Sequence, residues 1–234
     1  MRQKPIHPAL QPYLEGQVIL LNKPLHWTSF DTIRKIRKIT GVNKVGHAGT
    51  LDPLATGLLI ICTGKFTKRI NEFMAQRKVY TGTITIGAST PTYDLESDPE
   101  NFTDYSFVSE DLLKEKLQDF TGEILQTPPI HSAIKQEGKP VYLAARKGDE
   151  VKLEPRPITI YDFKLSNVTL PNIDFEIACS TGTYIRSIAN DYGAALGTGG
   201  YLSKLCRTQI GEFTLEEAVS MEEFEEKILA LKNE

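Results

Sequence analysis

Cysteine is scarce in this sequence, and long apolar runs are absent. The three cysteines, Cys62, Cys179 and Cys206, are odd in number and far apart, which argues against a disulfide framework or a zinc site and favours buried thiols in a reducing compartment. The longest apolar run, at 58–62, is far shorter than the roughly 20 residues that span a bilayer. The N-terminal residues lack the apolar segment of a secretory signal. These absences predict a cytoplasmic protein with no membrane association.

Several catalytic motifs are missing as well. The segment GLLIICTGKFT resembles a phosphate-binding loop, but it has six residues between its glycines and Phe66 where that loop needs a hydroxyl. The four histidines show neither HExxH nor Cys/His spacing, which predicts no metal site. No GxSxG elbow occurs, although a Ser-His-Asp arrangement on another fold stays open. We therefore expect no metal and no cofactor.

Positive charge is concentrated near the N-terminus. The 234 residues carry a net charge of −3, yet residues 1–80 hold 13 Lys/Arg against 4 acidic residues, and residues 212–234 hold 8 acidic residues against 2 lysines. This asymmetry is typical of a polyanion-binding face whose charge is hidden in the total by an acidic tail. A solvated helix surface would give the same pattern, so both interpretations remain open.

The sequence pattern predicts a mixture of strands and helices without strict alternation, which favours the α+β class and a single domain over 1–234. TSFDTIRKIRKITG predicts a basic amphipathic helix capped by Thr28 or Ser29 and ended by Gly41. Further predicted strands cover 16–24, 57–64, 77–87, 158–170 and 172–180. Further predicted helices cover 65–76, 109–120, 181–197 and about 214–232, the last of them acidic. Residues 127–151 predict an excursion or a hairpin containing a helix.

The loop GHAGTLDPLATG, at 46–57, places a single carboxylate, Asp52, among three glycines and a proline. Aspartate, proline and glycine are ordinary turn residues, so a structural turn is one interpretation. The other is a catalytic carboxylate in a loop whose glycines let a substrate approach the backbone.

The whole chain resembles the TruB family of bacterial tRNA pseudouridine synthases. The resemblance rests on segments in the family's order from about residue 16 to 213: LNKPLHWTSFD, GHAGTLDPLATGLLIICTGKFTK, RKVYTG, PPIHSAIKQEGKPVYLAAR, STGTYIRSI and LSKLCRTQIG. It implies isomerisation of a T-arm uridine, tRNA position 55, to pseudouridine. It also implies a long, mostly antiparallel mixed sheet with flanking helices and a central catalytic cleft. The segment 127–151 matches the family's thumb.

The resemblance implies a role for each of four catalytic residues. Asp52 resembles the nucleophile, which suits an aspartate because a carboxylate is ionised at neutral pH without a separate base. Arg186 resembles its ion-pair partner, and Asp94 resembles the acid that holds this arginine from the other side. Tyr80 resembles the tyrosine that stacks on the target base and assists proton removal.

Four further residues resemble substrate-binding positions of the family. Tyr184 and Leu205 resemble walls of the pocket, Lys23 a structural lysine, and His47 the residue that fills the space left in the RNA by the displaced base. Each of these side chains, considered alone, is also consistent with a purely structural role: Leu205 could lie in the core of a helix, and His47 could serve a turn. Tyr80 could likewise be a buried residue of a strand, and Asp94 could cap a loop.

The sequence departs from the family pattern at several positions. Asn22 and His26 replace a usual Asp and Gly, Ala48 replaces Thr or Ser, and His131 replaces Tyr. Many relatives also carry a C-terminal PUA domain, which residues 1–234 leave no room for. The expectation is thus a minimal, monomeric synthase that recognises tRNA without a guide RNA. A tRNA-folding chaperone with secondary or lost catalysis is the alternative.

Overall fold

A computed structural model describes residues 6–130, 132, 135–136, 139–140 and 153–233. The chain forms two compact units, Met1–Tyr80 with Leu205–Glu234, and Thr81–Lys204. The single-domain expectation stays a prediction. No helix in the described ranges has the length and apolar character needed to cross a membrane.

The described residues contain six α-helices and eleven strands. The helices are α1 Gln11–Glu15, α2 Ser29–Thr40, α3 Ile70–Met74, α4 Glu110–Leu117, α5 Ile185–Ala195 and α6 Met221–Asn233. The strands are β1 Val18–Lys23, β2 Val45–His47, β3 Ala55–Thr63, β4 Lys78–Ile86, β5 Gly122–Gln126, β6 Lys135–Gln136, β7 Lys139–Pro140, β8 Arg156–Thr169, β9 Asn172–Cys179, β10 Gly200–Ile210 and β11 Phe213–Thr214. Strands β4 and β10 have residues in both units.

Strand β3 is the centre of the first unit. It pairs antiparallel with β1 and β2 and parallel with β10, with Leu205 opposite Ala55. Residues 58–62 of β3 are fully buried, as the apolar run predicts for a strand covered on both faces. Strand β3 begins three residues after Asp52, so this buried strand anchors the candidate catalytic loop.

Helix α2 begins and ends where the sequence predicts. Thr28 and Asp31 form a capping box at its start, and Gly41 ends it with φ 76°, a left-handed conformation that glycine adopts without steric cost. Ile33 and Ile36 are buried in the same core cluster as Phe224 of α6. The apolar stripe of α2 therefore faces the core, Arg34 and Lys38 are exposed, and Lys35 and Arg37 are half-buried.

The second unit contains a sheet with the order β10-β4-β9-β8-β5. Strands β8 and β9 form a long antiparallel pair, and β5 adds to the other edge of β8. Helix α5 lies so close to β10 that a Cβ on Gly193 would overlap the backbone of Gly200. The two positions let helix and strand meet backbone to backbone.

The mixed, mostly antiparallel sheet with helices confirms the predicted α+β class. The predicted helix over 65–76 is wrong in part, because Gly64–Arg69 is a 3₁₀ helix and α3 has only five residues. Gly64 has φ 50° and packs tightly on the backbone of Leu14 and Glu15. The Thr67 hydroxyl donates to the Gly64 carbonyl (2.8 Å), a local bond of the kind that competes with regular α-helix.

Of the remaining predictions, some concern described residues and can be compared with the structure, and others concern residues that the structure does not describe. The acidic C-terminal helix begins at Met221 rather than near 214, because 213–217 form β11 and a 3₁₀ turn. Most of the predicted thumb over 127–151, with His131, lies outside the described residues, which there include the two-residue pair β6 and β7. Cys62 and Cys179 are buried as predicted, whereas Cys206 is half-buried.

Candidate active site

The candidate catalytic loop, residues 48–54, connects β2 to β3 in the first unit. The hydroxyl of Ser29, at the start of α2, accepts from the Leu51 amide (2.9 Å) and donates to the Leu51 carbonyl (3.1 Å). The Ala55 amide donates to the Asp52 carbonyl (3.0 Å), which closes a turn. The half-buried Asp52 is therefore held by backbone contacts on both sides, as a carboxylate that must keep one position requires.

Arg207 supports the same loop from β10, and the sequence reasoning missed it. Its side chain is 1% exposed, and its guanidinium donates from Nε to the Leu58 carbonyl (2.8 Å) and from Nη2 to the Gly49 carbonyl (3.1 Å). Gly49 has φ 91°, a backbone conformation that favours glycine. One arginine thus joins the start of the loop to the strand that follows it. The available signal was an arginine inside the apolar strand pattern LCRTQI.

His26, one of the departures from the family pattern, also contacts this loop. Its backbone has φ 66°, in the left-handed region where glycine is easiest and histidine is tolerated. Its amide donates to the Pro53 carbonyl (2.8 Å). A left-handed backbone would suit the glycine that the family resemblance leads one to expect at this position, and His26 adopts it while donating to the loop.

Lys23 is fully buried at the end of β1, beside the loop. Its ammonium donates to the carbonyls of Pro24 (2.9 Å) and Trp27 (2.6 Å). Burial lowers the pKa of Lys23 from 10.5 to about 8, the negative charge of Asp52 opposes this shift, and the positive charge of Arg207 adds to it. Lys23 and Asp52 are therefore electrostatically coupled within the first unit.

We expect Lys23→Met to change how the stability depends on pH. Between about pH 8 and pH 10.5 the unfolded chain holds a proton on Lys23 that the folded chain has lost, so the stability contributed by Lys23 rises with pH in this window. The wild type should gain about 1–2 kcal/mol relative to Lys23→Met between pH 7 and pH 9.5. Urea unfolding of both proteins at the two pH values measures this. An unchanged difference would contradict the lowered pKa.

Three other predicted residues, His47, Leu205 and Tyr80, belong to the first unit. His47 ends β2, and burial together with the charge of Arg207 lowers its pKa, so its imidazole is neutral at pH 7. Leu205 is half-buried in β10 opposite Ala55; the alternative of a helix core at Leu205 is wrong, because β10 is a strand. Tyr80 is buried in β4.

In the second unit, Arg186 forms an ion pair with Asp94. Arg186, in the first turn of α5, places Nε 3.6 Å from Oδ2 of Asp94 and donates from Nη1 to the Thr92 carbonyl (3.2 Å). The exposed fractions are 5% for Arg186 and 4% for Asp94. Asp94 Oδ1 also accepts from the Glu96 amide (3.0 Å). A guanidinium fixed by a buried carboxylate and a carbonyl has a defined direction, which suits a group that positions a charged partner.

Tyr184 precedes Arg186 at the start of α5. Its amide donates to Oε1 of Gln126 (2.8 Å) and its carbonyl accepts from Nε2 of the same side chain (3.0 Å). Gln126 is 2% exposed and was missed by the sequence reasoning. It fixes the backbone that carries both the tyrosine and the arginine.

Comparison with known proteins assigns this chain to a class. The family model described as TruB family pseudouridylate synthase (N terminal domain) matches residues 37–185, and the one described as tRNA pseudouridylate synthase B C-terminal domain matches 186–234. The protein is a pseudouridine synthase. Because the first model alone covers more than half of the sequence, the chain belongs to the TruB family.

Two relatives match this chain over nearly the whole of its length. The chain is 48% identical to a tRNA pseudouridine synthase B of Flavobacterium johnsoniae (93% of this chain, 98% of the relative) and 46% identical to one of Phocaeicola vulgatus (92% and 94%). Among solved structures it resembles a chain of a Cbf5-Nop10-Gar1 complex, with 28% identity and a TM-score of 0.73. That match covers 94% of this chain and 56% of the longer one.

Proposed function

We propose that this chain isomerises one uridine in the T arm of tRNA, at position 55, to pseudouridine, with Asp52 as the nucleophile. The observation that carries the proposal is the half-buried Asp52 in a loop of a TruB family member. The Ser29 hydroxyl holds the backbone of this loop at Leu51, and a turn at Ala55 closes it. The relatives named tRNA pseudouridine synthase B, at 46–48% identity over 92–93% of the chain, support tRNA as the substrate.

In the proposed mechanism the target uridine leaves the stacked RNA loop, at a cost of a few kcal/mol. The Asp52 carboxylate attacks the flipped nucleotide, and the bond between the sugar and N1 of the uracil breaks. The base then rotates and joins the sugar through C5, and the bond between Asp52 and the nucleotide breaks, which restores the free carboxylate. C5 loses its proton and N1 gains one. No oxidation occurs and no group is transferred to another molecule.

The other predicted residues have supporting roles in this proposal. Arg186 keeps the Asp52 carboxylate charged and oriented, and Asp94 holds Arg186. Tyr80 stacks on the base, which is worth about 1–3 kcal/mol, and assists removal of the C5 proton. Tyr184 and Leu205 line the pocket, Lys23 supports the loop, and the neutral His47 fills the space that the displaced base leaves in the RNA.

We further propose that the protein acts in the cytoplasm as a monomer without a guide RNA or a cofactor. The support is the resemblance to relatives named for tRNA as the substrate. Full activity of the purified protein on a tRNA transcript, with no other RNA added, would support independence from a guide. Sedimentation at the assay concentration would give the oligomeric state.

The function is tested with a tRNA transcript containing 5-tritiated uridine, in EDTA and without cofactor. We expect release of one tritium per tRNA and a pseudouridine mapped to position 55. A transcript with cytidine at that position is the matched control and should release none. Release from another uridine would contradict the proposed specificity, whereas binding without any release would support the chaperone alternative.

A further inference from the structure

The basic residues of the first unit differ in whether a carboxylate already pairs with them. Three side chains of the basic segments are bound in ion pairs with carboxylates, and Arg37 donates to the Val45 carbonyl (3.1 Å). The ion pairs are Arg34–Asp31 (2.5 Å), Lys35–Glu225 (2.5 Å) and Arg69–Glu72 (2.9 Å). A cation that is already paired with a carboxylate gains less free energy from binding a phosphate than an unpaired cation does.

Three exposed lysines lie in or next to the 3₁₀ helix Gly64–Arg69: Lys44, Lys65 and Lys68. We call these three the lysine surface. Lys38 of α2 and Lys227 of α6 are exposed too. The described part of the chain offers none of the three lysines of the lysine surface an ion pair within 4.0 Å. Glu15 packs on Gly64 through its backbone, but its carboxylate accepts from Gln11 Nε2 (3.2 Å). The lysine surface is therefore a local concentration of positive charge.

The backbone brings these three lysines together. The Gly64 amide donates to the Lys44 carbonyl (2.9 Å), so Lys44 lies beside the start of the 3₁₀ helix Gly64–Arg69. Lys65 and Lys68 are three residues apart in this helix, and such residues lie on the same side of a 3₁₀ helix. The fold thus places three cations from two separate segments on one surface.

This surface is connected to the candidate catalytic loop by β2. The strand runs from Val45, opposite Thr63, to His47, opposite Ile61, so Lys44 and His47 are about 10 Å apart along an extended strand. The catalytic loop begins directly after His47. Asp52 precedes the opposite end of β3, and the eight residue steps from Ala55 to Thr63 span about 26 Å. A nucleic acid that places one nucleotide at Asp52 can therefore have phosphates several nucleotides away at the lysine surface.

We propose that the lysine surface binds phosphates of the tRNA several nucleotides away from the target uridine and thereby strengthens the binding of the tRNA that presents this uridine to Asp52. The inference rests on the proposed function, because it takes tRNA as the bound nucleic acid. Lysine contacts to phosphates supply affinity and position without reading the sequence. The lysine surface contributes to binding and not to the chemical step.

The test compares two triple variants with equal changes in net charge. Lys44→Ala/Lys65→Ala/Lys68→Ala removes the lysine surface, and Arg34→Ala/Lys35→Ala/Arg69→Ala removes three ion-paired cations. Filter binding to tRNA over a range of salt concentrations gives the slope of log K against log salt, whose magnitude falls by about 0.7–0.9 for each phosphate that the protein no longer neutralises. We expect a fall of about 2–3 for the first variant and under about 1 for the second.

Single-turnover tritium release at subsaturating tRNA is measured in parallel and should fall in the lysine-surface variant in proportion to its loss of affinity for tRNA. Equal slopes for the two triple variants would overturn the inference, because the effect would then be one of net charge alone. If the wild type releases no tritium but the salt slope of the lysine-surface variant is still reduced, the proposed function fails and the phosphate-binding surface stands.

Discussion

Replacing Asp52 with asparagine is expected to abolish tritium release from tRNA while binding changes by less than about threefold. Asparagine has nearly the same shape as aspartate, and the loop contacts from Ser29 and Arg207 involve backbone atoms of Leu51 and Gly49. The amide is a very poor nucleophile, so the chemical step loses its attacking group. We expect the single-turnover rate to fall by at least about a thousandfold.

Asp162→Asn is the control for this variant, because Asp162 forms an exposed ion pair with Lys164 in β8. It should release tritium at the wild-type rate. If Asp52→Asn kept a rate within tenfold of the wild type, another group would be the nucleophile, and the resemblance would have assigned the loop wrongly. If both binding and release were lost, Asp52→Ala and circular dichroism would distinguish a folding defect from a binding role.

Replacing Arg186 with glutamine is expected to reduce both stability and activity. It leaves the carboxylate of Asp94, which is 4% exposed, without the guanidinium 3.6 Å away. Breaking a buried ion pair by removing one partner costs about 3–5 kcal/mol. The single-turnover rate should fall by at least about a hundredfold, since Arg186 orients the attacking carboxylate in the proposed mechanism.

The double variant Asp94→Asn/Arg186→Gln separates these two effects. Removing both charges eliminates the unpaired buried carboxylate, so urea unfolding should show recovery of about half of the lost stability or more. Tritium release should stay as low as in Arg186→Gln. Recovery of activity together with stability would mean that Arg186 has only a structural role.

Local features of the fold could be predicted because their causes are local. The ends of α2 follow from the Thr28–Asp31 capping box and from Gly41, and the start of α4 follows from Ser109, whose hydroxyl accepts from the Leu112 amide (3.2 Å). Each signal lies within a few residues of the feature it determines. The buried strand β3 was equally clear, because its apolar run is too long for a surface segment and too short for a membrane span.

The contacts that support the candidate site could not be predicted, because they join distant residues. Arg207 bonds a carbonyl 158 positions away at Gly49, and Gln126 bonds the backbone of Tyr184, 58 positions away. A pattern shows that an arginine interrupts a strand, but not which carbonyl will accept from it. The candidate residues themselves came from the resemblance to the TruB family, since periodicity carries no information about chemistry.

The contact between α5 and β10 has a consequence for how this protein can vary. Because Gly193 and Gly200 meet without side chains, no substitution at either position can adjust the spacing between the helix that carries Arg186 and the strand beneath it. Mutational scanning should therefore find these two glycines as intolerant as the charged residues of the site. Related sequences can then differ in the residues around Arg186, whereas the distance between helix α5, which carries Arg186, and strand β10 stays constant.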